Sequence, residues 1–176
     1  MEVFISRGAI VARLFLILTI LYPGFCGRFD GPEDYGPAMP ENEFSRMVDA
    51  YKKIPFSSAK LSFLRGMPPS CSCFCFNGEQ IRQLLKSANS NRKEGFEALT
   101  EHVCDLGAES AKNIIRLENF DNKRQDLLEA VWPYTHGTSN VAFQDEVEGL
   151  FTFSSGKSRA RQFMRQHINR HMHHHH

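Results

Sequence analysis

The chain has 176 residues, with 21 Lys and Arg against 20 Asp and Glu and a formal net charge of +1. This length suits one domain behind a short leader. The near balance of charge excludes the overall basic excess by which a whole domain engages nucleic acid or an anionic membrane, so neither is expected as a partner.

Residues 1–26 read as a secretory signal peptide. Arg7 and Arg13 supply the positive start, residues 14–21 form a short apolar run, and Gly24-Phe25-Cys26 gives small residues before the expected cut. The run is shorter than the roughly 20 residues a transmembrane helix needs, so no stable membrane insertion is expected once the signal is removed. An uncleaved anchor is the alternative. The rest of the protein would then be secreted and extracellular.

Residues 27–43 hold three prolines, three glycines and several acids. Few large apolar side chains are available there to offset the entropy of ordering, so a flexible arm is expected. The alternative is a strap over the domain, with Phe29, Tyr35 and Met39 as its contacts.

From residue 44 to residue 168 the pattern is helical. Phe44, Met47, Val48 and Tyr51 recur at i, i+3, i+4 and i+7, one face of a helix. A repeat follows. Phe56-Ser57-Ser58-Ala59-Lys60, Ala88-Asn89-Ser90-Asn91-Arg92, Phe120-Asp121-Asn122-Lys123-Arg124 and Phe153-Ser154-Ser155-Gly156-Lys157 begin 32, 32 and 33 residues apart. Each sets a base four residues after its opening residue. Ser, Asn and Asp accept hydrogen bonds from the free N–H groups of a helix's first turn, and an apolar residue just before can staple back onto the helix. Each motif therefore predicts a helix start. Leu64 and Met67, Phe96 and Leu99, and Leu128 and Val131 supply the buried stripe of the first three helices. The fourth copy departs, with Arg161 and Met164, as a polar terminal cap would.

Between these starts, second helices are expected on the triplets Ile81, Leu84, Leu85; Ala111, Ile114, Ile115; and Val147, Leu150, Phe151. Asn77 and Gln80 have the spacing of a capping box, and Pro133 and Gly137 mark a loop. Trp132 is expected at the end of a buried helix. The fold class is thus all-α: short antiparallel helix hairpins repeated about every 32 residues, stacked as a solenoid-like or compact array.

Signal cleavage after Cys26 leaves Cys71, Cys73, Cys75 and Cys104, an even number that reads as a disulfide framework in an oxidising compartment. A bond from Cys73 or Cys75 to Cys104 would close a loop of about 30 residues and stabilise by roughly 3–4 kcal/mol. Sequence alone leaves the pairing open. A metal site at the Cys-x-Cys-x-Cys cluster is the alternative, against the usual zinc spacing of two or more intervening residues.

The segment from Cys75 to Val131 resembles the domain-of-unknown-function family 4476. The resemblance rests on Phe76-Asn77-Gly78-Glu79-Gln80-Ile81 with Leu84-Leu85, on the start at residues 89–93, and on Phe120-Asp121-Asn122-Lys123-Arg124 with Leu127-Leu128. Phe56-Ser57-Ser58-Ala59-Lys60-Leu61 fits the same pattern, and Ala88 departs from it. The resemblance implies an all-helical fold and no particular activity.

No catalytic constellation is present in sequence. His102 and His136 are the only histidines before the C-terminal tail, and there is no Gly-x-Ser-x-Gly elbow, His-Glu-x-x-His pair or Walker-type loop. Glu101 and His102 are adjacent, which sends them to different helix faces, and a solvated surface is expected for them. No enzyme activity and no cofactor are expected. From Lys157 onward the chain carries five bases and no acid. His167, His171 and residues 173–176 there can take Zn, Cu or Ni through neutral imidazoles. The expectation is a secreted, non-enzymatic helical domain that binds a protein or extracellular-matrix partner or serves a structural role. The alternative is a metal- or anion-binding protein acting through the His- and Arg-rich tail at residues 169–176.

Overall fold

The computed structural model describes residues 38–67, 75–88, 91–104 and 106–168. The signal segment, most of the arm, Cys71, Cys73 and the tail lie outside them. Among the described residues the protein is all-α, with single β-bridges and no β-strand.

Helix α1 spans Glu41–Lys52 and buries Phe44, Met47, Val48 and Tyr51, the face given by their spacing. It begins inside the segment expected to be a flexible arm. Glu41 and Glu43 sit in its first turn, where the helix dipole favours acids. Just before it, Met39 is buried and donates its N–H to the Cys75 carbonyl at 2.9 Å.

Helix α2 is Ser57–Arg65 and α3 is Gly78–Ala88. Both halves of the capping box form at α3: the Gln80 N–H donates to Asn77 Oδ1 at 3.0 Å, and the Asn77 N–H to Gln80 Oε1 at 3.2 Å. The Gln80 amide also donates to the Met39 carbonyl at 2.8 Å, which ties the entry of α1 to α3.

Helix α4 is only Arg92–Glu97. A helix carrying both Phe96 and Leu99 was expected, and it ends before Leu99. Instead a 3-10 turn forms at Thr100–His102, where the Thr100 hydroxyl donates to the Glu97 carbonyl at 3.0 Å and offers the backbone a local alternative to the helix. Helix α5 is Ala108–Ile115, α6 is Asp121–Val131, α7 is Val141–Glu148 and α8 is Ser154–His167. Trp132 closes α6 in a short 3-10 turn, 1 % exposed and stacked on Phe143. Gly137 takes a φ of +75° in the loop before α7, a conformation that side chains with a Cβ resist.

The contacts follow two series. Helices α1, α3, α5 and α7 touch in succession, and so do α2, α4, α6 and α8. Across the series α3 meets α4, α5 meets α6, and α7 meets α8. Leu84, Leu85, Ile114, Ile115, Phe96, Leu99, Leu128 and Val131 are all fully buried in the shared core. Leu150, expected in the core, is only partly buried beyond the end of α7.

Extended links precede α1, α3, α5 and α7, and single parallel bridges join them: Ala38 to Cys75, Phe76 to Val103, and Leu106 to Thr135. Cys75 and Cys104 lie on these links and form a disulfide, with their Cα atoms 5.0 Å apart and a separation of 29 positions in sequence.

Candidate functional site

The four repeated motifs each precede a helix, but not by the expected mechanism. Phe56, Phe120 and Phe153 are themselves the N-cap residues, in extended conformation, and none of their helices has a side-chain cap. The Phe carbonyl takes the first intrahelical bond, from Lys60, Arg124 and Lys157 at 2.9, 2.8 and 3.0 Å. Ser57, Asp121 and Ser154 therefore fall one residue too late to cap their own helices. In the second motif the N-cap is Asn91, again without a side-chain cap.

The staple is also absent. Phe56, Phe120 and Phe153 are 61, 72 and 68 % exposed, the side chains turned away from the helices they start. Three large aromatics are thus exposed at equivalent motif positions, at the starts of α2, α6 and α8, while Ala88 at the equivalent position of the second motif is buried.

The first two bases tie one motif to the segment just before the next. The Lys60 ammonium, in a buried residue, donates to the Ser87 carbonyl at 2.7 Å, just before the second motif. Arg92 pairs with the buried Glu118 at 3.0 Å, just before the third. Arg124 reaches Asp121 at 3.2 Å. Asp121 in turn accepts the N–H groups of Thr152 at 3.0 Å and Phe153 at 2.9 Å, so it caps the entry of α8 rather than its own helix. Those two N–H groups, then Arg124, hold the Asp121 carboxyl below its ordinary pKa. Lys157, the fourth base, has no ion-pair partner among the described residues, nor has Arg159.

Between the starts of α6 and α8 lies a cavity of about 180 Å³, lined by Asp121, Asn122, Gln125, Phe153, Ser155, Gly156 and Arg159. Gln125 is 4 % exposed, its amide donates to Glu129 at 2.8 Å, and its Oε1 has no hydrogen-bond partner. Arg161, on the same helix, forks onto Glu148 at 2.6 and 2.5 Å, while Arg159 and Arg165 are exposed and Lys157 is half-buried.

His102 is not on a solvated surface, as its neighbours in sequence implied. It is 5 % exposed, edge-on to Phe76. Burial pushes its imidazole pKa below the ordinary value, against a hydrogen bond with the Met67 backbone and the nearby Glu101. The chain turns inward at the 3-10 segment, which a continued helix would not do. Burial also pushes the Tyr51 phenol up to about 12. Neither group lines the cavity between α6 and α8.

Of the expected cysteine set, Cys75 and Cys104 are joined; Cys71 and Cys73 fall outside the described residues. Among the described residues no group of three or more His, Cys, Asp or Glu is placed to hold a metal ion, and no helix is long and apolar enough to cross a membrane. His171 and residues 173–176 fall outside them, while His167 is held by its own helix, Nδ1 lying 2.8 Å from the Phe163 carbonyl.

Sequence reasoning named Phe120 and Phe153 but assigned them to packing, and it did not single out Gln125 or the pairing of Asp121 with the next motif. No local signal marked it, since Ser or Asp after an aromatic is equally the pattern of a side-chain cap. Compared with known proteins, the chain matches no family model, no curated protein and no solved structure. The resemblance to family 4476 rests on the quoted residues alone.

Proposed function

We propose that this chain is a secreted, non-enzymatic helical repeat domain that acts by binding a protein partner along the edge where α6 and α8 begin. The observation that carries this reading is the exposure of Phe120 and Phe153, 72 and 68 %, at equivalent positions of a repeated motif. Phe120 and Phe153 stand at the starts of two neighbouring helices joined by the Asp121 bonds, and exposed apolar side chains gathered at one edge mark a contact surface. Aromatic side chains dominate the energetics of such contacts.

The two series of helix contacts support the repeat reading, with a unit of two helices and a period of about 32 residues. The Cys75–Cys104 bond supports secretion, because disulfides persist in oxidising compartments. The absence of a catalytic grouping in sequence supports a binding role.

The test is affinity capture from the native extracellular medium with wild-type protein and a Phe120→Ser/Phe153→Ser variant of unchanged circular dichroism. A partner retained by wild type and lost by the variant is expected. An identical set of retained proteins on both would refute this reading.

A further inference from the structure

We infer that the cavity between the starts of α6 and α8 receives the C-terminal end of a polypeptide, taking the last residue's carboxylate and backbone N–H together. This rests on the edge being a docking surface, and it deepens that reading by naming the part of the partner that enters it.

The donors come from α8. Its first intrahelical bond runs from the Lys157 N–H to the Phe153 carbonyl, so the N–H groups of Ser154, Ser155 and Gly156 have no acceptor within the helix. Ser155 and Gly156 line the cavity, as does Arg159 one turn on. Arg159 has no ion-pair partner among the described residues. A guanidinium beside the free N–H groups of a helix start favours a carboxylate. Lys123 pairs with Asp126 at 3.9 Å and takes no part. Asp121, the one acid that lines the cavity, is already held by Arg124 at 3.2 Å and by the N–H groups of Thr152 and Phe153.

The acceptor comes from α6. Gln125 is 4 % exposed and lines the same cavity. Its Nε2 donates to Glu129 at 2.8 Å, which leaves Oε1 as a buried acceptor with no partner. Native proteins rarely leave such a group unmatched, and this one calls for a donor. A bare anion such as sulfate would meet Arg159 and leave Oε1 unmatched. A neutral amide would meet Oε1 and leave the Arg159 charge unmatched. A carboxylate with an N–H on the same Cα meets both, and a polypeptide ends in that pair. Size agrees with this. Cavities for drug-sized ligands run to about 300–1,000 Å³, so about 180 Å³ takes one residue end rather than a longer segment. Phe153 also lines the cavity and is 68 % exposed. An apolar last side chain packs there on a ring that is itself open to solvent, which suits the end of a macromolecule better than an enclosed small acid.

The experiment exposes the immobilised full chain to a pool of short N-acetylated peptides of random sequence with free C-terminal carboxylates, and in parallel to the same pool as C-terminal amides. Retained peptides are identified by mass spectrometry. Carboxylates with an apolar last residue should be retained and their amides should not. The retained peptides should lose at least about tenfold in affinity on Arg159→Gln, an exposed position, and a similar factor when the last N–H is methylated. Gln125→Leu should abolish the effect of that methylation. Acids and amides retained alike, neither retained, or affinity indifferent to Arg159 and to the N–H would overturn this inference. Binding of N-acetylleucine or lactate as tight as that of the peptides would overturn the polypeptide source. The edge is judged separately, by capture from the native extracellular medium. A partner lost from the Phe120→Ser/Phe153→Ser variant but kept by Arg159→Gln overturns this inference and leaves the edge standing, whereas no partner lost from either variant removes the edge as well.

Discussion

Replacing Asp121 tests how the last unit is held. Its carboxylate accepts from Thr152 and Phe153 at about the same distance and pairs with a largely buried Arg124, 15 % exposed. Loss of a cap typically costs about 1 kcal/mol, and loss of a partly buried charged hydrogen bond costs about another 1–1.5 kcal/mol. Asp121→Ala should therefore destabilise by about 2 kcal/mol, or about 4–8 °C in Tm for a domain of this size. The pH dependence gives a second reading. The folded-state pKa lies below the unfolded value, so this stabilisation is full above the unfolded carboxyl pKa of about 3.9 and is lost as pH falls through the folded value. Urea unfolding followed by circular dichroism should show a gap between wild type and Asp121→Asn at about pH 7 that closes toward pH 2. A variant as stable as wild type at neutral pH, or a gap that persists undiminished in acid, would refute the role assigned to this side chain.

Other outcomes follow from the packing. A Cβ at Gly78 would overlap the Ser110 side chain of α5, so Gly78→Ala should destabilise by about 1–3 kcal/mol despite the better helix propensity of Ala. Adding Ser110→Gly should recover part of that loss in a double-mutant cycle. Removing the Cys75–Cys104 bond by paired Ser substitution should cost about 3–4 kcal/mol by thermal and urea unfolding. Because burial lowers the His102 pKa, the unfolded chain binds its proton first, so stability should decline as pH falls below about 6.5 and continue to do so until the folded value is passed. His102→Phe should remove that decline in unfolding measured across the same range. Arg92→Met leaves Glu118 buried without its cation and should cost about 3 kcal/mol by urea unfolding, more than the reverse charge-free pair Arg92→Met/Glu118→Leu.

The helical class and the core were readable because burial imposes a period. Ile81, Leu84 and Leu85 lie on one face of any α-helix, and that face is buried in the protein. The Asn77–Gln80 box was readable because both of its bonds are local. The direction of Phe120 and Phe153 was not, since nothing within a few residues decides whether an aromatic at a helix start folds back or stands out. The service of Asp121 to a helix that starts more than 30 residues later was hidden for the same reason. His102 was misjudged because its environment is made by Phe76 and Met67, both distant in sequence. The bases at the fourth motif position were visible as a pattern, yet their partners, a carbonyl in one unit and carboxylates in the next two, differ chemically and left no common signature.

The covalent bond spans Cys75 to Cys104 and stops there. It fastens the links before α3 and α5, while α7 and α8 are retained without a covalent bond, by packing, the Leu106–Thr135 bridge, the Lys112–Glu146 pair, the Asp121 bonds and the Arg161–Glu148 fork. Opening from the C-terminal end frees the last helix pair without breaking the disulfide, so amide exchange should be fastest in α8 and slowest around α3. The proposed docking edge lies across that boundary, with Phe120 on the slower side and Phe153 on the faster. A partner that grips both would act as a removable clasp, closing the loose end noncovalently where the disulfide does not reach, and its arrival would register as slowed exchange throughout α8.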